Sequence, residues 1–283
     1  TALTAAALAA MPRAAQEAAP TEEAIDEQGI VVTGLRRSET LQDTPAAVTA
    51  FDSQAISNAG IERPADFIAL TPNVTLVETQ NAGNAFVIIR GITQNRNSEP
   101  SVAVIVDGVQ QVNPAQFNQD LFDIAQIEVL KGPQGGLYGR NAIGGAIIIT
   151  TKKPTDEFSG NVTAGIDNGF GYFLRGGISG PLADNVFFRV AGSYYDTDGF
   201  IPNTFLGEDA DPVKDYSLRA NLLVEATDRL TIDLRGSMNR LRTQGLYYNI
   251  VNDVNTIADV RVNNPGQNDR DIYNVAMKVE YKG

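Results

Sequence analysis

Apolar and polar residues alternate strictly in the second half of this chain, in six segments of about ten residues each. In the clearest segment, Tyr216, Leu218 and Leu222 occupy alternate positions, and Arg219 and Asn221 lie between them. Successive side chains of a strand point to opposite faces of its sheet, so the pattern predicts strands with one apolar and one polar face. The predicted strands are 159–167, 170–179, 186–195, 216–227, 230–239 and 273–281.

Alternation alone does not separate a soluble sandwich from a membrane barrel, but three further features favour a barrel. The predicted strands have about 10 residues, against about 5–6 in globular sheets. Their polar faces carry full charges, as a water-filled interior permits. Short connections at 181–185 and 226–229 alternate with long ones at 197–215 and 241–270, although the first hairpin, at 168–169, is also short. Six strands are too few to close a membrane barrel, so either the chain is a piece of a longer protein, as we expect, or the barrel interpretation is wrong.

The N-terminal residues have the composition of export and linker segments rather than of a folded core. Residues 1–15 begin with a small, apolar run that holds an A-x-A site, which predicts the remnant of a signal peptide. Residues 16–28 are rich in Ala, Glu and Pro and predict a flexible leader. A short β-type run, GIVVTG, follows at 29–34, and as an unpaired edge strand it would invite a partner strand.

A compact α+β domain is predicted at 35–154. Asp52 is placed to cap a first helix, and Pro64 suits the first turn of a second one. Short apolar strands follow, and the pair Asp107-Gly108 between two β-rich runs predicts a tight hairpin, because such turns need positive φ angles. The strands of the barrel are then predicted at 155–283.

The composition excludes several classes of active site. The 283 residues contain no Cys and no His, which removes Cys/His zinc sites, thiol nucleophiles and Ser-His-Asp triads. A net charge of −12 argues against nucleic-acid binding, and the Gly-rich stretch 139–145 lacks the Lys-Ser/Thr of a phosphate loop. Oxygen-ligand sites for hard cations remain possible on these grounds. Our prediction is a protein that is not an enzyme, with no catalytic residue, no cofactor and no metal ion.

Residues 127–154, IEVLKGPQGGLYGRNAIGGAIIITTKKP, closely resemble the plug signature of the TonB-dependent receptors. The resemblance extends upstream in collinear order and covers about 120 residues. Two departures are Gly136, where many members carry Thr or Ser, and Ile148, where many carry Asn. The upstream matches are GIVVTGLRR, TPAAVTAFD, LTPNV, IIRGI and SVAVIVDGV.

The resemblance implies an α+β plug domain followed by the first antiparallel strands of a transmembrane β-barrel of about 22 strands in the Gram-negative outer membrane. It implies that Arg90 and Arg140 anchor the plug by pairing with barrel carboxylates beyond Gly283. The implied TonB box, which would bind the TonB protein acting with ExbB and ExbD, consists of Ile30, Val31, Val32 and Thr33.

The same resemblance implies the energised import of a scarce nutrient: a ferric siderophore in the first place, and a glycan or cobalamin in the second. The substrate would meet outward loops of the plug. The loop residues predicted to contact it are Gln94, Asn95, Arg96, Asn97, Gln116, Phe117 and Asn118.

Two other classes of function are compatible with the residues. One is a surface signalling receptor or adhesin on the same scaffold. The other is a secreted all-β carbohydrate-active protein that would use the acid pairs Asp196/Asp198 or Asp209/Asp211. Those acids lie in a polar loop, where solvated acids or a calcium site are the simpler interpretation.

Overall fold

Short elements precede long strands along this chain. The computed structural model describes residues 30–34, 39–40, 47–78, 84–94, 98–168, 170–245, 256 and 260–283, so the predicted signal remnant and leader lie outside the described residues. The first elements are β1 (Val31–Val32), β2 (Glu39–Thr40), β3 (Ala47–Asp52), α1 (Ser53–Asn58), α2 (Pro64–Ala69), β4 (Val74–Glu78), β5 (Ala85–Ile89), β6 (Val102–Val106), β7 (Val109–Gln111), a 3-10 turn (Pro114–Gln116), β8 (Ile124–Lys131), α3 (Gly135–Tyr138) and β9 (Gly145–Thr151). The later strands are β10 (Ser159–Ile166), β11 (Tyr172–Ala183), β12 (Val186–Thr197), β13 (Pro202–Asn203), β14 (Glu208–Asp209), β15 (Val213–Thr227), β16 (Leu230–Thr243) and β17 (Asn268–Tyr281).

A five-stranded sheet in the order β3-β8-β9-β6-β7 organises the first region. Strand β9 pairs parallel to β6 and antiparallel to β8. Both faces of β9 are buried: Ile147 and Ile149 belong to one apolar cluster with Phe67 of α2, and Ala146 and Ile148 belong to a second cluster on the other face. Because both faces are covered, this strand is apolar without interruption as far as Ile149.

Local signals in the sequence correctly predict where the first two helices of this region begin and where its hairpin turns. The Asp52 carboxylate accepts the backbone N–H of Ala55 at 2.7 Å and so caps α1, and Pro64 is the first residue of α2. Asp107 and Gly108 have φ angles of 51° and 86°, and they join Val106 to its strand partner Val109 in the predicted tight hairpin. No helix within the described part of the chain is long and apolar enough to cross a membrane.

The alternating half forms one antiparallel sheet of six strands in the order β10-β11-β12-β15-β16-β17. Apolar side chains occupy its outer face, where Ile166, Val275 and Met277 are 88%, 83% and 67% exposed. The polar positions face the five-stranded region, and Arg189 and Ser193 are buried there. The sheet therefore presents apolar groups outward and charged groups inward, as the alternation predicts.

Several of these strands are longer than predicted. Strand β15 begins at Val213 instead of 216, and β17 begins at Asn268 instead of 273, so the two long connections are shorter than expected. Polar residues continue the pairing of the strands beyond their apolar positions. For example, Asp196 of β12 lies opposite Lys214 of β15, and their side chains form an ion pair of 3.1 Å. Apolar alternation does not detect strand ends of this kind.

Candidate functional site

Arginines on the inward face of the sheet bind carboxylates of the five-stranded region. Arg175 of β11 donates to Asp120 from Nε at 3.1 Å and from Nη2 at 2.8 Å, and its Nη1 lies 2.8 Å from Glu62. Asp120 is 2% exposed and also accepts the hydroxyl of Ser193 on β12. One buried carboxylate therefore joins two neighbouring strands to the first region.

A second forked pair lies beside the first. Arg189 of β12 donates from Nε to Asp123 at 2.6 Å and from Nη2 to the other oxygen of the same carboxylate, and both side chains are under 10% exposed. Arg235 of β16 lies 3.0 Å from Asp107, whose other contacts are the backbone N–H and hydroxyl of Thr151. The geometry of the Arg189 pair is the planar, two-point recognition that suits a guanidinium.

Two further arginines bind backbone oxygens of the first region. Arg219 of β15 donates to the carbonyl of Phe122 at 2.7 Å and lies 4.3 Å from the centre of its ring. Arg270 of β17 donates to the carbonyl of Ala115 at 2.7 Å. We call the ion-paired set the plug seat; it consists of Glu62, Asp107, Asp120 and Asp123 with Arg175, Arg189 and Arg235.

The sequence predicted that arginines of the plug pair with carboxylates of the barrel strands. In the plug seat the charges are the other way round, with arginines on the strands and carboxylates in the first region. The signal that could have found it was available, because Arg175, Arg189 and Arg235 occupy polar positions of the alternation. Their acidic partners lie 55 to 128 residues away in sequence, which no local pattern reveals.

The predicted anchors Arg90 and Arg140 lie apart from the plug seat. Arg140 pairs with Glu99 at 3.0 Å, and both side chains are exposed. Arg90 is exposed and has a φ of 51°, and its backbone N–H donates to the carbonyl of Asn73. The partners expected for both side chains lie beyond Gly283, so their anchoring role stays a prediction.

Replacing Asp123 with Asn is expected to destabilise the docked first region by about 3 kcal/mol, because the substitution leaves the buried Arg189 without a counter-charge. Native-state hydrogen exchange of the β8 amides in the full-length protein would measure this loss. The matched control is Asp184→Asn at the exposed turn before β12. Exchange at β8 that is equal in both variants would contradict the role of the pair.

The predicted box segment is docked on the first region. Val31 and Val32 pair antiparallel with Thr40 and Glu39, and the Gln126 side chain donates to the carbonyl of Val31 at 2.8 Å. Val32 is 2% exposed, whereas Val31 is 47% exposed. The segment is therefore a short strand with one buried and one accessible side chain.

The predicted substrate residues fall into three groups. Asn95, Arg96 and Asn97 lie outside the described residues. Gln94, Gln116 and Asn118 are partly exposed, and Asn118 donates to Glu78 at 3.1 Å. Phe117 is 5% exposed and packs edge-on against Phe67 in the core, so its ring supports the loop and is not presented to solvent.

One carboxylate in each of the acid pairs proposed for a carbohydrate enzyme has structural partners. Asp196 accepts the hydroxyls of Tyr172 and Tyr194 as well as the Lys214 ammonium group. Asp211 accepts the backbone N–H groups of Phe200 and Ile201 and so shapes its own loop. Each of these two carboxylates is thus engaged in holding strands or loops together.

The comparisons with known proteins agree on one family. The profile of the TonB-dependent receptor plug domain matches residues 40–146. The pesticin receptor of Yersinia pestis is 28% identical over 165 residues, which is 58% of this chain and 24% of the receptor. The vitamin B12 transporter BtuB of Vibrio vulnificus is 30% identical over 178 residues, which is 60% of this chain and 28% of the transporter.

Solved structures give the same result. The ferric yersiniabactin uptake receptor of Yersinia pestis superimposes with a TM-score of 0.66 at 25% identity, over 71% of this chain and 32% of that chain. The present chain spans about a quarter of the length of the curated relatives that it matches. These relatives are named as receptors and transporters, in agreement with the prediction that the protein is not an enzyme.

Proposed function

This chain belongs to the TonB-dependent receptors of the bacterial outer membrane, and we propose that the full-length protein imports a ferric siderophore with energy supplied through a TonB protein. The observation that carries the proposal is the plug seat, where a folded plug is held by charge pairs against the inward face of strands that are apolar outside. A plug held by polar contacts blocks the passage that the strands of the barrel would enclose. The same polar contacts allow the plug to be displaced.

Energy has to reach the plug from another membrane, since the outer membrane has no ATP. We assign this role to Ile30, Val31, Val32 and Thr33, which would add as a strand to the TonB protein. Strand addition uses backbone hydrogen bonds and needs little sequence specificity. TonB would act with ExbB and ExbD, which draw on the proton gradient of the inner membrane.

For the substrate we favour a ferric siderophore, with cobalamin and a glycan as the alternatives. The uptake of ferric yersiniabactin by one similar receptor supports the first choice, and the vitamin B12 transporter supports cobalamin. The proposed contact residues are Gln94, Asn95, Arg96, Asn97, Gln116 and Asn118, whose amide and guanidinium groups suit oxygen-rich ligands.

Growth under iron limitation tests this function. A host without its own siderophore receptors should grow on one or more single ferric siderophores when it expresses the full-length protein, and should not grow when TonB is also deleted. The same strain in medium limited for cobalamin, or with a single glycan as carbon source, serves as the comparison. Rescue only by cobalamin or a glycan would replace the siderophore, and rescue without TonB would contradict energised import.

A further inference from the structure

One carboxylate in the middle of the plug sheet is buried beneath the box segment. Glu128 lies on β8 between Ile127 and Val129, whose side chains belong to the first apolar cluster on the opposite face. Glu128 itself is 1% exposed. A charge in such a position is costly unless hydrogen-bond donors surround it.

The donors come from the end of the box segment. The backbone N–H of Thr33 lies 3.0 and 3.1 Å from the two oxygens of Glu128, and the Thr33 hydroxyl donates to the same carboxylate at 2.9 Å. The backbone N–H of Gly34 donates to it at 2.7 Å. Hydrogen bonds to an ionised acceptor are stronger than those between neutral groups.

The fit at Gly34 is close. A Cβ atom at this position would lie 2.6 Å from Leu130 Cδ1 and 2.9 Å from Glu128 Oε2, so any larger residue would push these side chains aside. The hydroxyl of Tyr138 on α3 donates to the carbonyl of Gly34 at 2.5 Å. Both polar backbone groups of Gly34 are thus bound by plug side chains.

We propose that Glu128 is a positioning residue that holds the box segment against the plug and keeps it from the TonB protein in the resting state. We call the contacts of Glu128 with Thr33 and Gly34 the clasp. The inference rests on the proposed function of residues 30–33 and names what regulates them. The N–H of Thr33 cannot bind Glu128 and a partner strand at the same time. Release of the segment also leaves the buried carboxylate without its donors, so docking and release are alternative states.

The clasp is tested by the mobility of a nitroxide label at Val31→Cys in the full-length protein in bilayers without substrate. Val31 is accessible, and the 283 residues contain no other Cys. Glu128→Gln should shift the ratio of mobile to immobile label about tenfold towards mobile, because an amide offers one acceptor oxygen where the carboxylate offers two. Glu157→Gln, which makes the same change at an exposed position, should leave the label immobile.

Two variants that retain Glu128 guard against a simple folding defect. Tyr138→Phe removes the hydroxyl that binds Gly34, and Gly34→Ala places a methyl group against Leu130. Both should also mobilise the label, while the thermal unfolding of the protein stays close to that of the parent. A label that remains immobile in all three variants would overturn the clasp.

Binding of a purified TonB C-terminal domain separates this inference from the proposed function. In Glu128→Gln the domain should bind about tenfold more tightly without substrate, because the segment is already free. A mobile label together with absent TonB binding would support the clasp and refute the assignment of residues 30–33 to TonB. An immobile label together with normal TonB-dependent uptake would refute the clasp alone.

Discussion

Deletion of residues 30–33 from the full-length receptor is expected to abolish uptake and to leave substrate binding at the cell surface unchanged. These residues form the docked strand that we assign to TonB, and they lie far from the proposed substrate residues in sequence. The role that we propose for this strand, to transmit force from TonB to the plug, predicts that its loss removes transport. Uptake and binding of a radiolabelled ferric siderophore by whole cells measure the two effects separately.

The control for this deletion is a deletion of equal length in the leader, residues 21–24. It removes the same number of residues from the segment predicted to be a leader and should leave uptake unchanged. Uptake that survives the loss of 30–33 would show that the segment carries no force. Loss of surface binding in that variant would indicate a damaged plug.

Gly145→Ala is expected to destabilise the plug strongly. Gly145 has a φ of 155°, and an added Cβ atom would lie 2.3 Å from the carbonyl oxygen of Leu130 and 2.9 Å from Ile89 Cδ1. The residue begins β9 at its pairing with β8, in the centre of the sheet, where the backbone cannot move aside. We expect a loss of about 3 kcal/mol or more, which is a large part of the about 5–15 kcal/mol that stabilises a typical domain.

Hydrogen exchange of the β9 amides and limited proteolysis of the detergent-solubilised protein would detect this loss. Gly136→Ala is the matched control, because Gly136 lies in α3 with open space around its Cα atom. An alanine there should be neutral, or stabilising by up to about 1 kcal/mol, through its higher helix propensity. Equal protection of β9 in both variants would contradict the steric argument.

Sequence reasoning succeeded where the determining interactions are local. The alternation at 159–281 predicted one sheet with an apolar outer face, and the Asp107-Gly108 pair predicted its hairpin. The ends of β15 and β17 were misplaced, because polar pairs such as Asp196 with Lys214 extend the ladder without apolar residues.

The plug seat and the clasp could not be predicted in the same way. Their charged partners are brought together by tertiary structure: Arg189 and Asp123 are 66 residues apart, and Thr33 and Glu128 are 95 apart. In the sequence, Glu128 belongs to the motif IEVL and resembles any polar residue of an edge strand. Only the folded chain places it under the box segment.

The apolar clusters of the plug have a consequence for the order of assembly. All of their members come from positions 48–149, so they close without any side chain of the six-stranded sheet. The contacts described between the two regions are instead mainly polar, and most of them are guanidinium groups on carboxylates and carbonyls. We therefore expect the N-terminal region to fold by itself in the periplasm. The strands of the barrel would then assemble around the folded plug, and the ion pairs would fix its orientation.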